Sequence, residues 1–413
     1  MRALSAGLLT TCLSKGNAML RPVSLAVFLC AAVGAVVCTA GSSWGADNGA
    51  APGVESALFN GRDLTGWHVT DCEAAVEDRS LVLKSGNGLV RADHRYGDFV
   101  LELDWRARKA EAWDSGIYFR SELPVDRAKR PWPVRYQCNL AQGKEGNVNG
   151  LAGAESSGLI KPGEWNHFKL TVIGDRAELE INGQPAWEAS GLEAASGYVG
   201  LQAEAPLGGE FEFRDIRIVE LAHRSLFNGA DLSGWEGGGA DAADCWKVED
   251  GLLVCTGEEG PWLQSAEQYG DFNLRLEYRL QPGGNSGVFA RVPREGSHRG
   301  REIDGGPSGV EVQLLDDAAE QYASLEAYQY SGSLYAIAPA RESVCRPAGE
   351  WNTLEIDCRG TAYRVFHNGI LIVDATETEF PELKAREPSG YLGLQNHSEA
   401  VWFRNVRVGP PQE

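Results

Sequence analysis

Glu311 and Gln313 stand two residues apart in Val310-Glu311-Val312-Gln313-Leu314, with apolar neighbours on either side. In an extended strand, period two turns a carboxylate and an amide to one face and packs the valines and the leucine on the other. Asn285, Phe289 and Arg291 share one side of Asn285-Ser286-Gly287-Val288-Phe289-Ala290-Arg291, and Gln395 and His397 share one side of Gln395-Asn396-His397. If these strands are neighbours, one wall presents Glu311 and His397 as proton carriers. Asn285, Arg291, Gln313 and Gln395 are then available to bind polar groups, and Phe289 to stack on a ring. Tyr335 lies in the long loop beyond that wall and can close over it. A carboxylate and an imidazole in one hollow are the usual equipment of general acid–base catalysis, and amide or guanidinium donors can steady a developing oxyanion. Weighed singly, these residues have plainer uses. Polar residues facing out from an antiparallel sheet are most often a solvated surface, and Arg291 can simply pair with Glu311.

The elements that must carry this wall are strands. Leu274-Arg275-Leu276-Glu277-Tyr278-Arg279-Leu280 and Leu354-Glu355-Ile356-Asp357-Cys358 alternate apolar and polar residues. Asn182-Gly183, Asp250-Gly251 and Asn368-Gly369 sit between such runs as hairpin turns. Convincing helical periodicity is scarce. Short alternating runs separated by Gly, Asn and Asp indicate an all-β sandwich or barrel.

The pattern is also written twice. Leu58-Phe59-Asn60-Gly61 returns as Leu226-Phe227-Asn228-Gly229, Tyr96-Gly97-Asp98-Phe99 as Tyr269-Gly270-Asp271-Phe272, Gly163-Glu164-Trp165-Asn166 as Gly349-Glu350-Trp351-Asn352, and Ser196-Gly197-Tyr198 as Ser389-Gly390-Tyr391. Recurrence in the same order means one domain repeated, over residues 57–221 and 225–409. The link Leu221-Ala222-His223-Arg224 is too short to let the copies swing. Aligned by these motifs, Asn285 corresponds to Asp114, Arg291 to Arg120, Glu311 to Arg135, Gln313 to Gln137, Gln395 to Gln202 and His397 to Glu204, and Tyr335 has no clear partner. The first copy departs at the two positions that carry protons, so chemistry is expected in the second.

Composition narrows the partners. The formal net charge of -20 over 413 residues argues against nucleic acid. Residues 1–46 read as a signal peptide and flexible lead-in, with an apolar stretch from Val23 to Ala40 behind Arg21 and Met19 as an alternative start. The protein is expected to be exported, to the periplasm or beyond, with no further membrane segment. Six cysteines follow the signal, and Cys245 and Cys255 can face each other across the Asp250-Gly251 hairpin; the pairing cannot be read from spacing. No cofactor is required. A divalent ion between Glu311 and His397 is compatible with the residue types, but no ligand spacing demands one.

The motifs together resemble the 3-keto-disaccharide hydrolase domain family, formerly a domain of unknown function. They are LFNG-x-DL-x-GW, W-x-VEDG, YGDF, GNSG, VEVQ, GEWN, SGY-x-GLQ and FRN-x-R, and they cover both copies. The resemblance implies two tandem concanavalin A-like jelly-roll sandwiches, a carbohydrate substrate bound on a concave face, and exported proteins acting on glycosides oxidised at C3. A carbonyl at C3 acidifies the hydrogen at C2. Its removal lets the C1 substituent leave, and water adding back completes the cleavage. The rival chemistry is a two-carboxylate glycosidase, for which Glu311 has only Asp316 or Asp317 nearby. The rival function is a lectin-like module that binds glycan without cutting it.

Overall fold

The computed structural model describes residues 53–124, 129–294, 308–397 and 399–412; the expected signal segment lies outside them. Apart from four short 3-10 segments the described chain is strands and turns. All three expected hairpins form. The Asn or Asp and the Gly both take positive φ, at 53° and 74° for Asn182-Gly183, 52° and 75° for Asp250-Gly251, and 46° and 72° for Asn368-Gly369. This is the conformation that matches the twist of the flanking strands. Among the described residues no helix is long and apolar enough to cross a membrane.

The second repeat is a sandwich of two antiparallel sheets. One holds, in order, Trp246–Glu249, Leu252–Cys255, Val401–Gly409, Phe272–Leu280, Asn352–Arg359, Ala362–His367 and Ile370–Ala375, with Arg224–Ser225 beside Val401–Gly409. The other holds Trp235–Gly237, Leu263–Tyr269, Gly390–Leu394, Asn285–Val292 and Val310–Leu315. Leu274, Leu276, Tyr278, Val288, Val312, Leu314, Leu354 and Ile356 meet between them in one core. The first repeat follows the same path. Its strand Ser80–Tyr96 runs without a break through both layers, pairing with Phe211–Glu220 near Leu81 and with Gly197–Ala205 from Gly86 onward. A separate core fills it, around Trp105, Phe119, Phe168 and Phe213.

The alternation of the Phe272–Leu280 and Asn352–Arg359 strands has a second use. At Asn273, Arg275, Thr353 and Glu355 their polar faces are buried against the first sandwich or the link, while Glu277 and Arg279 stay partly exposed. Glu220 bonds Arg275 and accepts from Arg407 Nε at 2.6 Å. Glu355 contacts Arg275 at 3.3 Å, His94 Nδ1 at 2.7 Å and Asn273 Nδ2 at 2.8 Å. His223, in the short link, meets Asn273 at 3.0 Å. Burial would raise the Glu220 carboxyl, but Arg275 and Arg407 overcome that and hold it down at about 2. Burial pushes His223 down to about 4.

The six cysteines are free thiols. Trp246, rather than Cys245, lies opposite Cys255 in the hairpin.

Candidate functional site

The five-stranded sheet carries its site in rows across the strands. One row reads Glu236, Gln264, Gly393, Phe289, Glu311. The next brings Gln395, whose N–H donates to Gly287 O at 2.8 Å, beside Gly287 and Gln313. Glycine at 287 is needed because a Cβ there would stand 2.5 Å from Glu311 Oε1. The carboxylate lies across the sheet over that gap.

Asn285, Glu311, Gln313, Tyr335, Gln395 and His397 line one cavity of about 250 Å³. The structure thus brings together six of the eight residues singled out from sequence. Glu311 is 3% exposed, at the floor. His397 stands at the rim with its side chain 48% exposed and Nδ1 3.6 Å from Glu399. Gln313 Nε2 donates to Asn285 Oδ1 at 2.8 Å, which occupies the Asn285 amide oxygen and leaves its NH2 group as the donor end. Tyr335 is pinned by its N–H to Glu311 O at 2.8 Å, and its hydroxyl accepts from Gln329 at 3.3 Å.

Phe289 and Arg291 lie elsewhere. Phe289 is fully buried and meets Trp262 edge-on at 5.3 Å, so it cannot stack on a ligand itself. Arg291 follows a bulge in the strand and has φ +54°, which turns its side chain out of the alternation. It holds Gly270 O at 2.8 Å, Gly360 O, and Asp271 Oδ1 at 2.9 Å. Arg120, with φ +41°, does the same in the first copy, reaching Gly97 O at 2.9 Å, Gly174 O and Asp98 Oδ1 at 2.8 Å. Arg291 is therefore a clamp on the Tyr-Gly-Asp-Phe turn, and it does not pair with Glu311. Asp316 and Asp317 belong to the adjoining loop. Asp316 accepts from Gly283 N at 2.8 Å and Asp317 from Ser331 N at 3.0 Å, and both face a different cavity beside Cys345 and Arg346. No second carboxylate joins Glu311 from there.

Strand register corrects the alignment of the copies. Gly116 pairs with Asn139 and Tyr118 with Gln137, as Gly287 pairs with Gln313 and Phe289 with Glu311. The counterpart of Glu311 is therefore Gln137 and not Arg135, and that of Gln313 is Asn139. A Cβ on Gly116 would fall 2.3 Å from Gln137 Nε2, so the amide fills the carboxylate's place. Gln137 bonds Gln202, and Arg135 is an exposed partner of Glu193 at 2.6 Å. Setting Val134-Arg135 against Val310-Glu311, which the shared valine invites, is two residues out of register. Tyr335 also gains a counterpart. Val148 and Leu334 form equivalent bridges to Cys138 and Val312, which places Asn149 at its position.

Leu315, Tyr322, Leu325 and Gln329 also line the cavity and were missed by strand periodicity. Leu315 ends the strand, and the other three come from the segment between Asp316 and Leu334, which the first copy shortens to Gln142–Val148. Its cluster of tyrosines, 322, 328, 330 and 335, was the available signal. Among the described residues no three His, Cys, Asp or Glu side chains converge as a metal site. Among the described residues lining this cavity, an ion would find Glu311 and His397 with amide and tyrosine oxygens.

The 3-keto-alpha-glucoside-1,2-lyase-like domain model matches residues 55–219 and again 222–409. The chain belongs to that family. It is 28% identical over 225 residues to a 3-keto-disaccharide hydrolase of Bacteroides thetaiotaomicron, covering 45% of this chain and 77% of the relative. Among solved structures it resembles a protein of Parabacteroides distasonis assigned as a glycosyl hydrolase, at 24% identity and TM-score 0.41, over 46% of this chain and 93% of that one. A carbohydrate-binding module of Bacillus subtilis matches at 20% identity and TM-score 0.31, over 37% of this chain and 95% of the module. At those scores the likeness adds nothing to the fold read from the strand order.

Proposed function

We propose that this is an exported enzyme that cleaves the glycosidic bond of 3-keto-glycosides in the cavity of its second sandwich. The observation that carries the reading is a buried carboxylate, Glu311, that shares one hollow with an imidazole and four amides. The named activity of the Bacteroides relative supports a hydrolase on such sugars.

In this reading Glu311 takes the proton from C2. Its carboxylate is placed at the cavity floor, where a ring held in the hollow would present C2 to it. The C2–H electrons pass into an enolate whose oxygen, at C3, accepts hydrogen bonds from the Asn285 and Gln395 amides. When the C3 carbonyl re-forms, the C1–O bond breaks and the departing oxygen takes a proton from His397 at the rim. Water then adds OH to C1 and H to C2, with the same two residues reversing their roles. Tyr335 and the 316–334 segment cover the reacting ring.

The test is incubation with a 3-keto-disaccharide and with its unoxidised parent, following sugar release. Turnover of the keto substrate with deuterium from heavy water appearing at C2 supports elimination and hydration. Cleavage of the parent sugar alone would replace this reading with direct hydrolysis, and no turnover of either by folded protein would leave a glycan-binding module.

A further inference from the structure

Trp262 lies outside the cavity described above, and nothing so far gives it a role. Leu263 pairs with Leu394 in the core, so Trp262, one residue earlier, shares the opposite face with Gln264 and Gly393. The indole covers Gly393, where a Cβ would stand 2.3 Å from its six-membered ring, and abuts Gly238, where a Cβ would stand 1.9 Å from Nε1. Two glycines thus make room for it, and its edge-on contact with Phe289 holds it upright. It is half-buried, and among the described residues its N–H has no hydrogen-bond partner.

The polar groups beside it are equally uncommitted. Gln264 is fully buried with neither amide atom bonded, and Gln395 Oε1 is also without a partner. Buried polar groups in folded proteins are nearly always satisfied, by protein, water or ligand. From Glu311 to the strand under the indole is two strand spacings, about 10 Å, which is the reach of two linked pyranose rings. In the first copy this arrangement is absent. Leu89 covers Gly200 there, and Arg91, in place of Gln264, donates to Gly369 O of the other sandwich at 3.1 Å.

We propose that Trp262, the Gln264 amide and Gln395 Oε1 form a second sugar subsite, which takes the pyranose leaving group and makes the enzyme prefer disaccharides to glycosides of small alcohols; the Gln395 NH2 group stays with the reacting ring. The inference rests on the keto-glycoside reading above for the position of the reacting ring. The indole offers an apolar surface to the C–H side of a pyranose and the amides match its hydroxyls.

The test variant is Trp262→Leu, which installs the first copy's residue, with Trp262→Phe as the conservative partner. We expect the ratio of kcat/KM for a 3-keto-disaccharide over a methyl 3-keto-glycoside to fall about ten-fold in the Leu variant, mostly through KM, and to recover in the Phe variant. An equal loss on both substrates, or an unchanged ratio, overturns the subsite. Calorimetry with the unoxidised disaccharide separates the two proposals. If the wild type turns over neither keto substrate but binds disaccharide in a Trp262-dependent way, the catalytic reading fails and the subsite stands. If wild type and Leu variant bind alike, the subsite fails.

Discussion

The same row of five positions crosses the inner sheet of each sandwich. In the second it reads Glu236, Gln264, Gly393, Phe289, Glu311, and in the first His68, Arg91, Gly200, Tyr118, Gln137. Only the central glycine is kept. At one end a carboxylate has become an amide of the same shape. At the other end an acid and an amide have become two basic residues, which reach the neighbouring sandwich: His68 contacts Asn368 O at 2.7 Å, and Arg91 donates to Gly369 O. Asp93, on the same strand, accepts from Thr353 at 3.1 Å. One scaffold has thus been turned to two ends. The second copy's row ends on a carboxylate that lines a cavity, and the first spends much of its row on holding the second.

The largest effect should come from erasing the difference at one atom. Glu311→Gln gives the second copy the first copy's residue, and sugar release from a 3-keto-disaccharide should fall by about a thousand-fold with the melting temperature little changed. Loss of the imidazole in His397→Ala should cost about a hundred-fold, with partial rescue by added imidazole. The reverse exchange, Gln137→Glu, should leave turnover as it was. Significant gain or loss there would show that the first hollow also takes part.

On the bracing side, Glu220→Gln leaves the Arg275 and Arg407 guanidiniums buried with their shared carboxylate gone, and should destabilise by about 3–5 kcal/mol in chemical denaturation. The link should also respond to pH. His223 and His367, ordinarily near 6.5, are both held at about 4 by burial. Their folded values lie below their unfolded ones, so their contribution is complete above 6.5 and is lost as pH falls toward 4. Asp357, raised by burial from 3.8 to about 6, acts with the opposite sign, losing its contribution as pH rises over that range. Two histidines outweigh one carboxylate, so the melting temperature should drop between pH 6.5 and 4, and His223→Asn should flatten the slope.

Much of this was readable from residue order. The alternation, the three hairpin turns, the repeat and the shared side of Glu311, Gln313, Asn285, Gln395 and His397 all follow from the two-residue period of a strand. What escaped was what that period does not carry. Arg291 obeys a bulge, and a bulge shifts the face of every residue beside it. Arg135 was matched to Glu311 through a neighbouring valine, whereas pairing with the Gly116 strand decides the register. Trp262 drew no notice in the sequence because the glycines that receive it, Gly238 and Gly393, are far away in the chain. Arg275 and Glu355 looked like solvated charges because nothing local announces that another sandwich lies on them.

The contact between the copies also has a direction. One partner offers its hollow side and the other its back, so the two surfaces are unlike and neither can play both parts in the same joint. However many such units were strung together in this manner, each joint would consume one hollow, and the unit at the C-terminal end would be left with its hollow unblocked. Duplication of this kind multiplies scaffolding without multiplying reactive centres, and it relieves the braced copies of any need to keep a proton carrier.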